Sequence, residues 1–247
     1  MVSSGQKLVL TEALKGLPVA AQVAALEDSK ATFEFLKDLV AREGLDADLQ
    51  LRGRFFGAFA PSHLETLRRN AETLHRRTGV TIRVLSREEQ REEVGSSYFH
   101  GGFVVEEYGG LHPAKLNRAL RDAARRAGAR LASHARVLST AREGGGHVLR
   151  TARGEVRAEQ VLFATNGYTD GASPWLARRV LPVASYQVAT EELPPGLMDR
   201  LVPRRRMVTD SRKELTYARP SPDGTRILFG CRPRSLDADP ARLAGRL

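Results

Sequence analysis

Cysteine is almost absent. Cys231 is the only one in 247 residues, which excludes an intrachain disulfide and any all-cysteine metal site. No stretch approaches the roughly 20 consecutive apolar residues of a membrane-spanning helix. Met1–Leu10 has neither the charged nor the apolar region of a secretory signal, so no membrane span and a cytoplasmic location are expected. Aromatic residues make up 6% of the chain, too few to interleave a basic surface with the stacking rings that nucleic-acid binding uses. Lysine is scarce too. Six of the 39 basic residues are lysine and 33 are arginine, for a net charge of +10. The arginines are scattered in pairs such as Arg68–Arg69, Arg76–Arg77, Arg125–Arg126 and Arg178–Arg179, with one triplet, Arg204–Arg206. That dispersal reads as solvated faces rather than a nucleic-acid surface, although it still attracts anionic substrates or cofactors. Motifs are missing as well: the sequence has no G-x-S-x-G, no Walker loop and no G-x-G-x-x-G. The six histidines are dispersed without metal-ligand spacing, and no metal is expected.

What is present is the pattern of a folded α/β chain with 41% hydrophobic residues. Val23, Leu26, Lys30, Phe33, Leu36 and Val40 recur every three to four residues and predict a helix over 20–42. Ser62 with Glu65 has the spacing of a capping box and predicts a second helix ending at Gly79, followed by a strand over 80–85. Ser86 with Glu89 repeats the signal for a brief helix. Pro113 suits a first helical position, with Leu116, Leu120, Ala123, Ala124 and Ala127 on one face and Gly128 as stop. A strand is expected to start at Ala129–Leu131, and a meander follows over 136–140, 147–151 and 155–165. Within it, Val161–Ala164 is an apolar run suited to a buried parallel strand. After Pro174 the character changes. Strands over 183–190, 215–219 and 226–230 alternate with turns, of which Ser221-Pro-Asp-Gly224 is the strongest signal. Asp239–Leu247 has the look of a helix start.

One segment carries a hint of a site. Val161-Leu-Phe-Ala-Thr-Asn-Gly-Tyr168 reads as a strand running into a turn of small and polar residues. Ligands in doubly wound sheets sit beyond the carboxyl ends of parallel strands, where such a turn lets backbone N–H groups approach a phosphate or ribose. Asn-Gly is equally a common turn dipeptide, and both readings stand.

Gly109-Gly-Leu-His-Pro113 leading into a helix, the strand at Val137, Ala164-Thr-Asn-Gly-Tyr168, Asp210-Ser-Arg212, and Ser221-Pro-Asp-Gly224 through Leu228-Phe-Gly230 occur in this order. The set resembles the D-amino-acid oxidase-like FAD-dependent oxidoreductases, in particular the branch with gamma-glutamylputrescine oxidoreductase and the glycine and sarcosine oxidases. The resemblance covers nearly the whole chain. It implies α/β structure plus antiparallel β: a partial Rossmann-type FAD domain interleaved with an antiparallel-sheet substrate domain. Residues 1–50 and 109–172 would belong to the flavin side, and residues 51–108 and 173–247 to the substrate side.

The resemblance also implies roles. Val137 matches the position whose backbone meets the adenine. Ala164, Thr165, Asn166, Gly167 and Tyr168 match the turn against the nucleotide portion of FAD. Gly5 and Gln6, with Ser4, align with the end of a glycine-rich loop near the flavin ring. Tyr217 and Arg219 are the candidate catalytic residues, on a strand that faces the ring. Arg219 would orient a substrate carboxylate or be an ordinary solvent-facing strand residue. The implied activity is oxidation of a small-molecule primary or secondary amine or amino acid by hydride transfer to FAD. The family's opening strand–G-x-G-x-x-G–helix unit, which cradles the pyrophosphate, and its closing glycine-rich segment have no counterpart in these residues. A second polypeptide carrying that unit is therefore an expected partner. The alternative is a truncated, catalytically inactive fragment that needs another chain for flavin binding.

Overall fold

The computed structural model describes residues 1–3, 16–181, 185–212 and 216–231. It falls into two units, residues 1–123 with 185–247, and residues 124–184. The first unit begins with β1 (Val2–Ser3), α1 (Val19–Arg42), β2 (Arg54–Gly57), α2 (Pro61–Thr78), β3 (Ile82–Leu85), β4 (Gly102–Val105), β5 (Tyr108–Gly109) and α3 (Pro113–Arg126), whose last three residues fall past the boundary. The second unit holds β6 (Val137–Glu143), β7 (Gly146–Thr151), β8 (Gly154–Ala158) and α4 (Pro174–Ala177). The chain then returns to the first unit with β9 (Tyr186–Ala189), α5 (Leu197–Leu201), β10 (Met207–Asp210), β11 (Tyr217–Pro220) and β12 (Ile227–Cys231).

Seven strands of the first unit form one sheet in the order β3-β4-β2-β10-β11-β12-β9. Only β2 and β10 run parallel, in the register Arg54↔Met207 to Gly57↔Asp210; the other pairs are antiparallel. Alternation along the strands sorts the side chains between two faces. Val104, Phe55, Val208, Ala218 and Phe229 lie in one cross-strand row. They pack with Val94, Phe99, Met198 and Val202. The opposite face places Phe103, Phe56, Thr209, Tyr217 and Gly230 in a row. At the β4 end, α2 covers this face with Leu67, Ala71 and Leu74. Each fully buried side chain of this size contributes about 1.5–3 kcal/mol relative to exposure.

One buried ion cluster stitches the sheet edge. Glu93 is fully buried and accepts from Arg206 Nε at 2.7 Å and Arg83 Nη2 at 2.5 Å. Arg206 also donates to both oxygens of Glu106, at 2.6 and 2.9 Å. A carboxylate this far from water is tolerable only because two guanidinium groups meet it.

The second unit is an antiparallel meander, β6-β7-β8. Among its described residues only Val148 is buried.

Several expectations need correction. The second helix starts at Pro61 rather than Ser62, and no side chain caps it; proline at the first position lacks one of the N–H groups a cap would satisfy. The second capping box does form: Ser86 N–H donates to Glu89 Oε2 at 2.7 Å and Glu89 N–H to Ser86 Oγ at 3.2 Å. Ala129–Leu131 is not a strand, and the strand expected over 155–165 stops at Ala158. Val161–Ala164 is neither a strand nor buried: Leu162 is 90% exposed. A strand exists by virtue of its partner, and no described strand pairs with these residues. The face of α3 expected to pack on that strand contains no buried residue. Where strands were expected over 183–190, 215–219 and 226–230, the described residues form Tyr186–Ala189, Tyr217–Pro220 and Ile227–Cys231, which share a sheet with β2, β3 and β4. Residues 239–247 lie outside the described residues.

Candidate functional site

In the second unit, an open cleft of about 550 Å³ is lined by Arg136, Val137, Leu149, Val161, Phe163, Thr165, Tyr168 and Asp170, among others. Its size falls within the range of small-ligand sites, and its lining is mostly apolar with a few polar groups, as such sites require. Val137 opens β6, where a register shift between Val137 and Ser139 interrupts the ladder. Residues Asn166–Tyr168 form a single 3₁₀ turn, with Asn166 in the left-handed region at φ 49°. The turn is fixed from within. Thr169 Oγ1 donates to the Asn166 carbonyl at 2.7 Å, so in the hydroxyl pair between Thr165 and Thr169, also 2.7 Å, Thr165 is the donor. Tyr168 N–H donates to Thr165 O at 3.0 Å. Tyr168 presents its ring to solvent, 93% exposed.

Arg136 and Asp170 close one rim, with contacts of 3.1 and 2.5 Å to one carboxylate oxygen. The Ala172 N–H first, and the Arg136 guanidinium second, hold the Asp170 carboxyl below its usual value.

Of the expected nucleotide contacts, the cleft thus gathers Val137, Thr165 and Tyr168. Ala164, Asn166 and Gly167 stand exposed on the adjoining turn, outside the lining. Gly5 and Gln6 lie outside the described residues. Arg136, Leu149, Phe163 and Asp170 were not anticipated. Arg136 adjoins an expected residue, whereas the Arg136–Asp170 pair spans 34 positions and leaves no trace in the sequence.

In the first unit, Tyr217 and Arg219 share the sheet face opposite the main core. Both are half-buried. Tyr217 lies over Gly230, where an added Cβ would come within 2.1 Å of the ring; only glycine permits this approach. The Tyr217 hydroxyl meets Ser185 Oγ at 2.7 Å. Beside it, Thr209 has a buried hydroxyl without a hydrogen-bond partner among the described residues. Arg219 Nη1 donates to the Leu111 carbonyl at 3.0 Å, so the residue is not simply solvent-facing. Burial holds its guanidinium below the usual arginine value, and the Asp48 carboxylate opposes that shift. Among the described residues, no group of three His, Cys, Asp or Glu could hold a metal ion, and no helix is long and apolar enough to cross a membrane.

The seven-stranded mixed sheet, with Tyr217 and Arg219 on one face, and the three-stranded meander beside its open cleft make up a fold with known counterparts. Solved structures share it. Glycine oxidase from Geobacillus kaustophilus matches 93% of this chain and 59% of its own at TM-score 0.67 and 23% identity. NikD, an unusual amino acid oxidase, matches 90% and 62% at TM-score 0.65 and 17% identity. The FAD dependent oxidoreductase (DAO) family profile matches residues 7–244, and the chain belongs to that family. Among curated relatives, the probable oxidoreductase OrdL of Rhizobium meliloti is 35% identical over 161 residues, 62% of this chain and 37% of the relative. Gamma-glutamylputrescine oxidoreductase of Escherichia coli is 30% identical over 198 residues, 80% of this chain and 46% of the relative. The chain therefore spans less than half the length of these two relatives.

Proposed function

We propose that this chain is part of a cytoplasmic FAD-dependent oxidoreductase that oxidises a primary or secondary amine or an amino acid, gamma-glutamylputrescine-like or glycine/sarcosine-like. The observation that carries the reading is the cleft of the second unit, which brings Val137, Thr165 and Tyr168 together across 31 positions of sequence. In this reading Val137, Leu149 and Phe163 receive the adenine, and the turn at Ala164–Tyr168 lies along the nucleotide. Tyr217 and Arg219 belong to the substrate side. When bound, the flavin supplies the two-electron acceptor for the C–H bond beside the amine nitrogen. The chain's own residues bind and orient. No strong acid or base is required of them if the amine arrives unprotonated.

A second reading concerns the cofactor's phosphates. The sequence has no G-x-G-x-x-G loop, and exposed arginines are screened over roughly 10 Å at ordinary salt. Leu162 and Tyr168 stand at least nine-tenths exposed beside the cleft, an apolar surface that invites cover by further polypeptide. This supports tight flavin binding, and with it activity, only when a pyrophosphate-binding segment joins these residues, whether on a second polypeptide or on a longer one. Without it, the 247 residues would be catalytically inactive.

Titration of the 247-residue chain with FAD and with ADP, read by flavin fluorescence and calorimetry, tests both readings. The expected result is weak, exchangeable binding of similar strength for the two ligands, because only the adenosine portion is met. Val137→Arg, which fills the cleft, should abolish both. Absence of any binding would sink the nucleotide assignment. Stoichiometric submicromolar binding of FAD would show that the phosphate cradle is dispensable.

A further inference from the structure

The cleft of the second unit has two walls of different construction. One is the meander itself, where Val137 and Leu149 belong to strands held by their ladder. The other is the stretch 159–173, which leaves the sheet at Ala158 and contains a single 3₁₀ turn but no strand. Among the described residues, the hydrogen bonds that join this stretch to the meander are those between Asp170 and Arg136, the residue before β6. Arg136 commits both Nε and Nη2 to Asp170 Oδ2, at 3.1 and 2.5 Å. Asp170 Oδ1 accepts from the Ala172 N–H at 3.0 Å, and the Asp170 carbonyl accepts from the Ser173 N–H at 3.2 Å. One residue thus fixes the end of the turn that carries Thr165 and Tyr168 and ties it to the strand that carries Val137. Both partners line the cleft, and both meet water, with side chains 76% and 37% exposed.

We propose that Arg136 and Asp170 are positioning residues for the nucleotide: their ion pair sets the width of the cleft, so that affinity even for an uncharged nucleoside depends on ionic strength. This rests on the proposed reading of the cleft as the site for the adenosine portion of FAD. Contact with a flat ring is short-ranged. A gap of roughly 0.5–1 Å forfeits a quarter to a half of the dispersion attraction. A wall that swings out by that much loses much of its grip while the fold stays intact. Exposed ion pairs are weak and are screened by salt, so the latch acts on ligand affinity by a small factor rather than as an all-or-none gate.

The probe is adenosine, which carries no charge, so no ion pair between ligand and protein contributes. Its binding to the 247-residue chain is followed by NMR at about 0.01 M and about 1 M sodium chloride, where the screening length is roughly 30 Å and 3 Å. Asp170→Asn keeps an acceptor for the Ala172 N–H and removes the charge, and Arg136→Gln removes the guanidinium. Arg136→Lys keeps the charge without the fork. The parent should bind adenosine about threefold to fivefold more weakly at high salt, as suits an exposed pair. Both neutral variants should show the weaker affinity at either salt, and Arg136→Lys should regain part of the salt dependence. Without ligand, the amide resonances of Asn166–Thr169 should shift together with salt in the parent and stay in place in Asp170→Asn. Equal affinity in the parent and both neutral variants would overturn the proposal and leave the nucleotide reading standing. An effect of Arg136→Gln without one of Asp170→Asn would make Arg136 a ligand contact and overturn the latch. No adenosine binding to any of the chains would overturn the proposal and the nucleotide reading together.

Discussion

The two units bury their side chains very differently. The seven-stranded sheet is covered on one face by Val94, Phe99, Met198 and Val202 and partly on the other by α2. The three-stranded meander has Val148 as its single buried residue among those described, with Leu138, Val156 and Leu162 more than half exposed. Both are hydrogen-bonded sheets, the meander with one register shift between Val137 and Ser139. The difference teaches that the meander's architecture comes from local strand pairing and tight turns, whereas the sheet is held by its core. A small sheet without a covered face has little to resist opening.

The largest expected effect separates the units outright. Phe55→Ala should destabilise the chain by about 3–5 kcal/mol, because a fully buried ring at the centre of the main core leaves a cavity. Leu162→Ala should change stability by no more than about 0.5 kcal/mol, as for an exposed side chain without partners. Denaturant melts of both variants check this. Equal losses would mean that residues 161–164 are buried in solution and that the contrast is false.

Ion pairs should show the same divide at somewhat smaller scale. Glu93→Gln removes the charge that two guanidinium groups share in the interior, and should cost about 3 kcal/mol. Asp170→Asn breaks an ion pair with Arg136, whose side chain is 76% exposed, and should leave the melting transition nearly unmoved. Glycine substitution gives a third contrast. At Gly110 a Cβ meets Met207 and Arg219, and Gly110→Ala should cost about 1–3 kcal/mol through overpacking. At Gly171 a Cβ meets nothing within 4 Å. Gly171→Ala should be neutral or stabilising by up to about 1 kcal/mol, through restriction of the unfolded chain. Thermal melts of the pair would break the comparison if the signs were reversed.

How much of this was legible in the sequence follows the same line. The helices at 19–42 and 113–126 declare themselves through apolar spacing and through Pro113, and the Ser86–Glu89 box and the Ser221–Gly224 turn through local chemistry. Val161–Ala164 misled because an apolar run specifies a preference for burial, not a partner to provide it. The candidate cleft was half readable. Val137, Thr165 and Tyr168 came from the family resemblance, while Arg136 and Asp170 meet only through the fold of the meander. The Leu111 carbonyl under Arg219 was out of reach for the same reason, since the two are 108 positions apart.

The smallest expected effect compares two turns. The first unit's Ser221–Gly224 turn is organised by a carboxylate: Asp223 accepts from the Ser221 hydroxyl and, at 3.0 Å, from both the N–H and the hydroxyl of Thr225. These bonds, that of Ser221 foremost, lower the Asp223 carboxyl from 3.8 to about 2. A carboxyl depressed in the folded state adds stability that is present above its unfolded value and lost as pH falls through the folded one. The turn should therefore stay closed above about pH 4 and loosen towards about pH 2. In the second unit, the Thr151–Gly154 turn is held by a hydroxyl instead: Thr151 Oγ1 donates to Gly154 O at 2.9 Å and accepts from Arg153 N–H at 3.1 Å. A hydroxyl does not titrate in this range, so acid should leave that turn in place. Amide NMR shifts of Gly224 and Thr225 against those of Arg153 and Gly154 during acidification measure the difference. Asp223→Asn should remove the response of the first pair. Movement of both pairs at one pH would instead report global acid unfolding, and the contrast between a titrating turn and a non-titrating one would be lost.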